Sequence, residues 1–184
     1  MIDWFEASHF GSVTEYLVAA IHKLDKAGVD FALLASNTPH IVFADVERQS
    51  PIPLISIVEA TCREATAQGV RRVGLFGTRF TMQGGFYSKV FTEAGIEIFV
   101  PEPDEQEFIH QKYMNELLTG IILPETRDAL LKIAIQMQQR HAIQGLILGG
   151  TELPLILRGE APPGLRFLDT TQIHVNAIVS ELLA

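Results

Sequence analysis

Sulfur is scarce: Cys62 is the one cysteine in 184 residues. A lone thiol excludes an internal disulfide and a cysteine-rich metal site. Its setting, VEATCREATAQG, reads as an amphipathic helix in which Cys62 is a small packing residue. Basic residues are few and scattered, 14 Lys and Arg against 22 Asp and Glu for a net charge of −8, and only Arg71 and Arg72 are adjacent. Nucleic acid is therefore not an expected partner. An anionic small molecule is not excluded, because backbone dipoles bind anions locally. No apolar run reaches the roughly 18 residues of a transmembrane helix, so no membrane partner is expected. The opening MIDWFEASHF has neither the basic nor the apolar region of a signal peptide. A cytoplasmic location is the default expectation. His9, His22 and His141 read as surface residues, and no histidine stands at metal-site spacing from Glu or Asp, so a metal is not implied.

What the chain does have is alternation. Its length fits one compact domain or two small lobes sharing a core. SVTEYLVAAIHKLDKA (12–27) has helical periodicity, with Gly28 to end it, and FALLA (31–35) reads as a buried strand. A helix from Pro39 to about Arg48, a strand at 53–57 and a helix at 58–68 ended by Gly69 follow. Next come a strand at 72–77, a helix at 84–95 and a strand at 96–100. Helices at 104–119 and 125–141, a strand at 145–149, a short helix at 152–158, a strand at 165–170 and a helix at 171–183 complete the chain. Short, continuous apolar strands separated by helices predict an α/β protein with parallel sheets flanked by helices. Ligands in such folds sit beyond the carboxyl ends of the strands.

Those ends look alike. FALLA leads into SNTPH, RVGLF into GTRFT, GLIL into GGTELP and LRFL into DTTQIH. Each places a small or polar residue, then threonine, at a helix start. Threonine caps helices, and Pro39 suits a first helical turn. Capping alone accounts for any one of these; together they suggest a shared anion cleft lined by helix N-termini. ALLASNTPH (32–40) and LILGGTELP (146–154) also match each other, as two related lobes facing across a cleft would.

AGVDFALLASNTPH, VRRVGLFGTRFTMQGGFY, HQKYMNELLTGII, GLILGGTELPLIL and LDTTQIHVNAIV, taken together, resemble the aspartate/glutamate racemases of the Asp/Glu/hydantoin racemase superfamily. The resemblance runs through nearly the whole chain. It implies two Rossmann-like lobes, the first formed by residues 1–58 with 165–184 and the second by 59–164. It also implies an amino-acid racemase for an acidic amino acid that needs no cofactor. Two cysteines, one from each lobe, would flank the substrate's α-carbon, one thiolate removing a proton and the opposite thiol returning one.

Carried over residue by residue, the pattern departs where the chemistry lies. The first cysteine position, which some members fill with threonine, is Ser36 here. The second, in the family's GCTE, is Gly150. A glycine transfers no proton, and a serine is a poor base unless a partner activates it. His40 and His174 match family histidines and are the candidate partners; each is equally readable as a structural hydrogen-bonding group. Asn37, Thr38, Thr78, Thr81, Thr151 and Glu152 fall on substrate-binding positions, with Glu152 either orienting a substrate ammonium or serving as a first-turn acid. Arg79 reads as a substrate contact or a solvated charge, and Met82, His110 and Glu116 match further family positions. The front differs too: members begin with a strand, a Gly-Gly-Met-Ser-type loop and a helix, whereas MIDWFE resembles the end of the second strand or the loop after it. A first lobe lacking that unit would expose a sheet edge for a second subunit to cover, so a homodimer is expected. The expectation for this chain is a racemase-family protein in which two-base racemisation is absent or very slow. The alternative is a pseudoenzyme that binds a small carboxylate or a protein partner.

Overall fold

The computed structural model describes residues 2–159 and 161–183. In chain order it contains α1 (Ile2–Glu6), α2 (Phe10–Lys26), β1 (Ala32–Leu33), a 3-10 turn at Thr38–Val42, α3 (Phe43–Gln49), β2 (Leu54–Ile55) and α4 (Ile57–Ala67). Then follow β3 (Arg72–Gly77), α5 (Arg79–Gln83), α6 (Phe86–Glu93), β4 (Glu97–Phe99), α7 (Pro103–Asn115) and a 3-10 turn at Leu117–Thr119. The last elements are α8 (Pro124–His141), β5 (Gly145–Gly149), α9 (Leu153–Ile156), β6 (Arg166–Asp169) and α10 (Thr170–Leu182).

Every strand pairing is parallel. One sheet has the order β4-β3-β5-β6, and the second is the pair β1-β2. Side chains on a strand alternate between faces, and the central strands are apolar on both. Val73, Leu75, Ile147 and Leu168 pack against Cys62 of α4 and Tyr87 and Phe91 of α6. Phe76, Leu146 and Leu148 pack on the opposite face against Ile109 of α7 and Leu130 and Met137 of α8. Fully burying one such side chain contributes roughly 1.5–3 kcal/mol relative to leaving it exposed, so these two layers hold the larger sheet. A third cluster, Phe5, Val13, Leu17, Leu34, Phe43 and Val46, belongs to the smaller sheet and its helices, with Phe80 of α5 packed against it.

Local signals set the element ends. Ser56 caps α4 by accepting the Glu59 N–H at 3.3 Å. Glu102 and Glu105 form a reciprocal capping box at α7, and Pro103 and Pro124 occupy first turns. Gly28 and Gly69 end α2 and α4 with φ of 81° and 69°, values that favour glycine.

β6 pairs with β5 from Gly145↔Arg166 to Leu148↔Asp169 and so extends the four-stranded sheet, while α10 bonds β2 through His174 Nε2 and the Ile55 carbonyl at 2.9 Å. Two expectations are corrected. The MIDWFE segment is neither strand end nor loop over Ile2–Glu6 but a short helix, anchored by the buried Phe5 ring 5.8 Å from that of Phe80. The expected strand 31–35 narrows to Ala32–Leu33, because only those residues face a partner, Leu54 and Ile55. The helix start expected after RVGLF is that of α5, five residues long and capped by Thr78.

Candidate functional site

The carboxyl ends of β1, β3, β5 and β6 meet on one side of the molecule, where the hydroxyls anticipated from sequence converge. Thr38 Oγ1 lies 3.0 Å from Thr78 Oγ1 and 3.3 Å from Thr81 Oγ1, and Thr78 and Thr81 are themselves 3.2 Å apart. Two glycines permit this close approach. A Cβ at Gly77 would fall 2.8 Å from the Gly149 carbonyl oxygen and from Thr81, and a Cβ at Gly149 would fall 2.7 Å from the Phe76 oxygen.

Helix capping explains less of the pattern than expected. Thr78 does cap α5, accepting the Thr81 N–H at 3.3 Å. At α10 the cap is Asp169, which accepts N–H groups of Thr171 and Gln172 at 3.0 Å each. Thr170 instead donates its hydroxyl to the Leu148 carbonyl at 2.8 Å, and Thr151 donates to Glu152 at 2.8 Å.

A cavity of about 270 Å³ opens here, lined by Ser36, Thr38, Thr78, Thr151, Glu152 and Tyr113, with Phe5, Pro39, Phe80, Met114 and Leu118 completing its walls. It is smaller than the roughly 300–1,000 Å³ of clefts for drug-sized ligands, and so suits a metabolite the size of an amino acid. Among the described residues, Glu152 is its only lining residue with an ionisable carboxyl group. Both Tyr113 Oη–H and Thr151 Oγ1–H donate to Glu152 Oε2. Burial, reinforced by the bond to Glu152, holds the Tyr113 phenol well above its ordinary pKa, so it remains a donor.

Tyr113 was not picked out in the sequence, yet it decides the form of this wall. A Cβ built on Gly150 would fall 2.5 Å from Tyr113 Cε2 and 2.6 Å from its hydroxyl oxygen. The tyrosine ring occupies the space a side chain at position 150 would enter. Tyr113 and Met114 reach the cavity from α7, which carries the HQKYMNEL segment.

The remaining expected residues lie elsewhere. Asn37 is buried and fully engaged, donating Nδ2–H to Thr170 Oγ1 at 3.0 Å and accepting the Tyr87 hydroxyl at 2.5 Å. It ties the loop after β1 to α6 and α10, and does not line the cavity. His40 has both ring nitrogens bonded: Nε2 accepts the Ile57 N–H at 3.2 Å, which fixes Nδ1 as the donor to the Ser36 carbonyl at 2.9 Å. Burial lowers its pKa to about 4. His174 Nε2 donates to the Ile55 carbonyl at 2.9 Å, and burial lowers its pKa as well. Among the described residues neither histidine bonds Ser36 Oγ, so the geometry gives both a backbone-bracing position, not the activating contact anticipated. His110 Nδ1 accepts the Arg79 N–H at 3.3 Å, and Arg79 reaches out to Glu107 at 3.8 Å. Cys62 packs in the core on α4, where burial raises its pKa. Among the described residues, no group of three His, Cys, Asp or Glu side chains is arranged to hold a metal, and no helix is long and apolar enough to cross a membrane.

A family model described as Asp/Glu/Hydantoin racemase matches residues 6–178. The chain therefore belongs to the Asp/Glu/hydantoin racemase family. It is 30% identical over 172 residues to the broad specificity amino-acid racemase RacX of Bacillus subtilis (strain 168), an alignment covering 88% of this chain and 69% of that protein. It is 26% identical to a glutamate racemase of Aquifex aeolicus (strain VF5), but spans only 56% of that enzyme's length. Among solved structures it is similar to an aspartate racemase homologue from Pyrococcus horikoshii OT3, with TM-score 0.82 and 32% identity over 93% of this chain and 74% of that one.

Proposed function

We propose that this chain binds a small α-amino carboxylate at the ends of its strands and that two-base racemisation is absent or very slow there. The observation that carries this is the composition of the two walls. Ser36 stands on one. Where the family resemblance puts the opposing cysteine, Gly150 lies beneath the Tyr113 ring that lines the cavity, and the chain's only thiol is in a core layer on α4. Racemisation through opposed bases needs a group on each face of the α-carbon that gains and loses a proton near neutral pH. A serine hydroxyl without an activating partner does not do so, and a glycine has nothing to offer.

The pocket retains what binding requires. The hydroxyls of Ser36, Thr38 and Thr78 supply donors for a carboxylate. Both bonds to Glu152 fall on Oε2, which leaves Oε1 to accept from a substrate ammonium. Family membership supports an amino acid as the ligand class.

The test is proton NMR in deuterated water with L-amino acids, following ligand line broadening and loss of the α-proton signal together. The account expects broadening with exchange close to buffer. Exchange far above buffer that disappears in Ser36→Ala would establish a surviving one-base site and overturn the binding-only reading.

A further inference from the structure

We infer that the pocket selects a monocarboxylate whose substituent is uncharged and apolar, not the acidic side chain of aspartate or glutamate; this rests on the carboxylate-binding reading above. The wall away from the hydroxyls is built by Phe5, Phe80, Met114 and Leu118. Among the described residues, no lysine, arginine or histidine lines the cavity. A substrate with a second carboxylate would bury that charge against hydrocarbon without a counter-ion, which is strongly unfavourable. Glu152, the one ionisable carboxyl on the wall, would add like-charge repulsion.

Cations on the neighbouring helices are committed elsewhere. Arg79 pairs with Glu107 at 3.8 Å, and its guanidinium lies 5.5 Å from the centre of the Phe80 ring, on the ring that lines the pocket. Lys112, next to Tyr113 in sequence, pairs with Glu116, whose other oxygen accepts the Thr126 hydroxyl at 2.6 Å. The apolar side of the cavity is also continuous with the protein's own packing. Phe5 and Phe80 touch ring to ring at 5.8 Å, and Phe80 meets His110 edge-on at 6.1 Å. Burial, followed by the nearby Arg79 charge, lowers the pKa of that histidine and so disfavours its cationic form. An alkyl or aryl substituent laid on this wall removes apolar surface from water at no electrostatic cost.

Titration calorimetry on the intact protein tests this with four probes: L-phenylalanine, L-leucine, L-aspartate and 2-phenylethylamine. Phenylalanine and leucine are expected to bind at least tenfold more tightly than aspartate. Leu118, 43% exposed at the rim, tolerates a charge; Leu118→Arg is expected to raise aspartate affinity at least fivefold while weakening phenylalanine. Aspartate binding as tightly as phenylalanine in the parent protein would overturn the inference and leave the carboxylate site standing. An unchanged aspartate affinity in a folded Leu118→Arg variant would also count against it. Phenylethylamine binding as well as phenylalanine would preserve the apolar wall but overturn the carboxylate reading. Failure of all four probes to bind would overturn both.

Discussion

The ring of Tyr113 covers the Cα of Gly150 so closely that a Cβ there would lie 2.5 Å from ring carbon Cε2. A rigid phenol on a helix packed into the core has little room to retreat. Gly150→Cys is therefore predicted to lower stability by roughly 1–3 kcal/mol, the usual cost of overpacking, and not to restore racemisation alone. Chemical denaturation of Gly150→Cys beside Gly150→Cys/Tyr113→Ala checks this. With Tyr113→Ala alone measured alongside, that second mutation should cost less in the Gly150→Cys background than in the parent, because there it removes a clash as well as a packed ring.

Tyr113 also orients Glu152 through its hydroxyl. Tyr113→Phe keeps the ring and deletes that donor. The variant is expected to lose about 1–3 kcal/mol, the range for hydrogen bonds to charged groups and for a partner left unsatisfied. Ligand affinity should fall with it, since the carboxylate is no longer held in place. Equal affinity in parent and variant would show that Glu152 is positioned by Thr151 alone.

Asn37 joins three elements in a buried chain of bonds, from Tyr87 through its own amide to Thr170 and on to the Leu148 carbonyl. Asn37→Leu would leave the Tyr87 hydroxyl and the Thr170 oxygen without their partners. A loss of roughly 2–4 kcal/mol is expected, about 1–3 kcal/mol for each stranded group less partial relaxation. Urea unfolding midpoints measure it. A variant as stable as the parent would place Asn37 among ligand contacts instead.

Stability should depend on pH through His40. Its folded pKa is about 4 against 6.5 for the free side chain, so the unfolded chain binds the proton first as pH falls. The contribution is fully present above pH 6.5 and is lost progressively toward pH 4, by an amount on the order of 3 kcal/mol. His174 is shifted in the same direction by its own burial and adds to the slope. Urea midpoints across this window should fall with acid and should fall less in His40→Gln. A flat profile would mean that the Ile57–His40–Ser36 bonds do not hold the imidazole neutral.

The long elements were legible in the sequence for physical reasons. The periodicity of α2 and α8 spans several turns, and Gly28 and Pro124 mark their limits. The apolar runs of β3 and β5 have the signature of strands buried on both faces. Thr78 marks the start of α5, but five residues are too few to show a period, so the sequence gives no extent for that helix. The convergence of Ser36, Thr38, Thr78, Thr151 and Glu152 followed from their common place at strand ends. The roles of Asn37, His40 and His174 did not, because their partners lie 133, 17 and 119 residues away in the chain. Tyr113 was hidden for the same reason: what it covers at Gly150 is set by how α7 packs, not by any spacing within HQKYMNEL.

The most direct measurement is the interconversion of enantiomers. Purified protein at micromolar concentration is incubated with L-phenylalanine and, separately, with L-aspartate, and the D-isomer is quantified by chiral chromatography over hours. The account predicts D-isomer at the level of the buffer control for both amino acids, in a sample whose ligand-dependent melting temperature proves the pocket occupied. Accumulation of either D-isomer at ordinary enzymatic rates of roughly 1 s⁻¹ or more would contradict it, showing that a serine and a tyrosine-covered glycine suffice to invert the α-carbon.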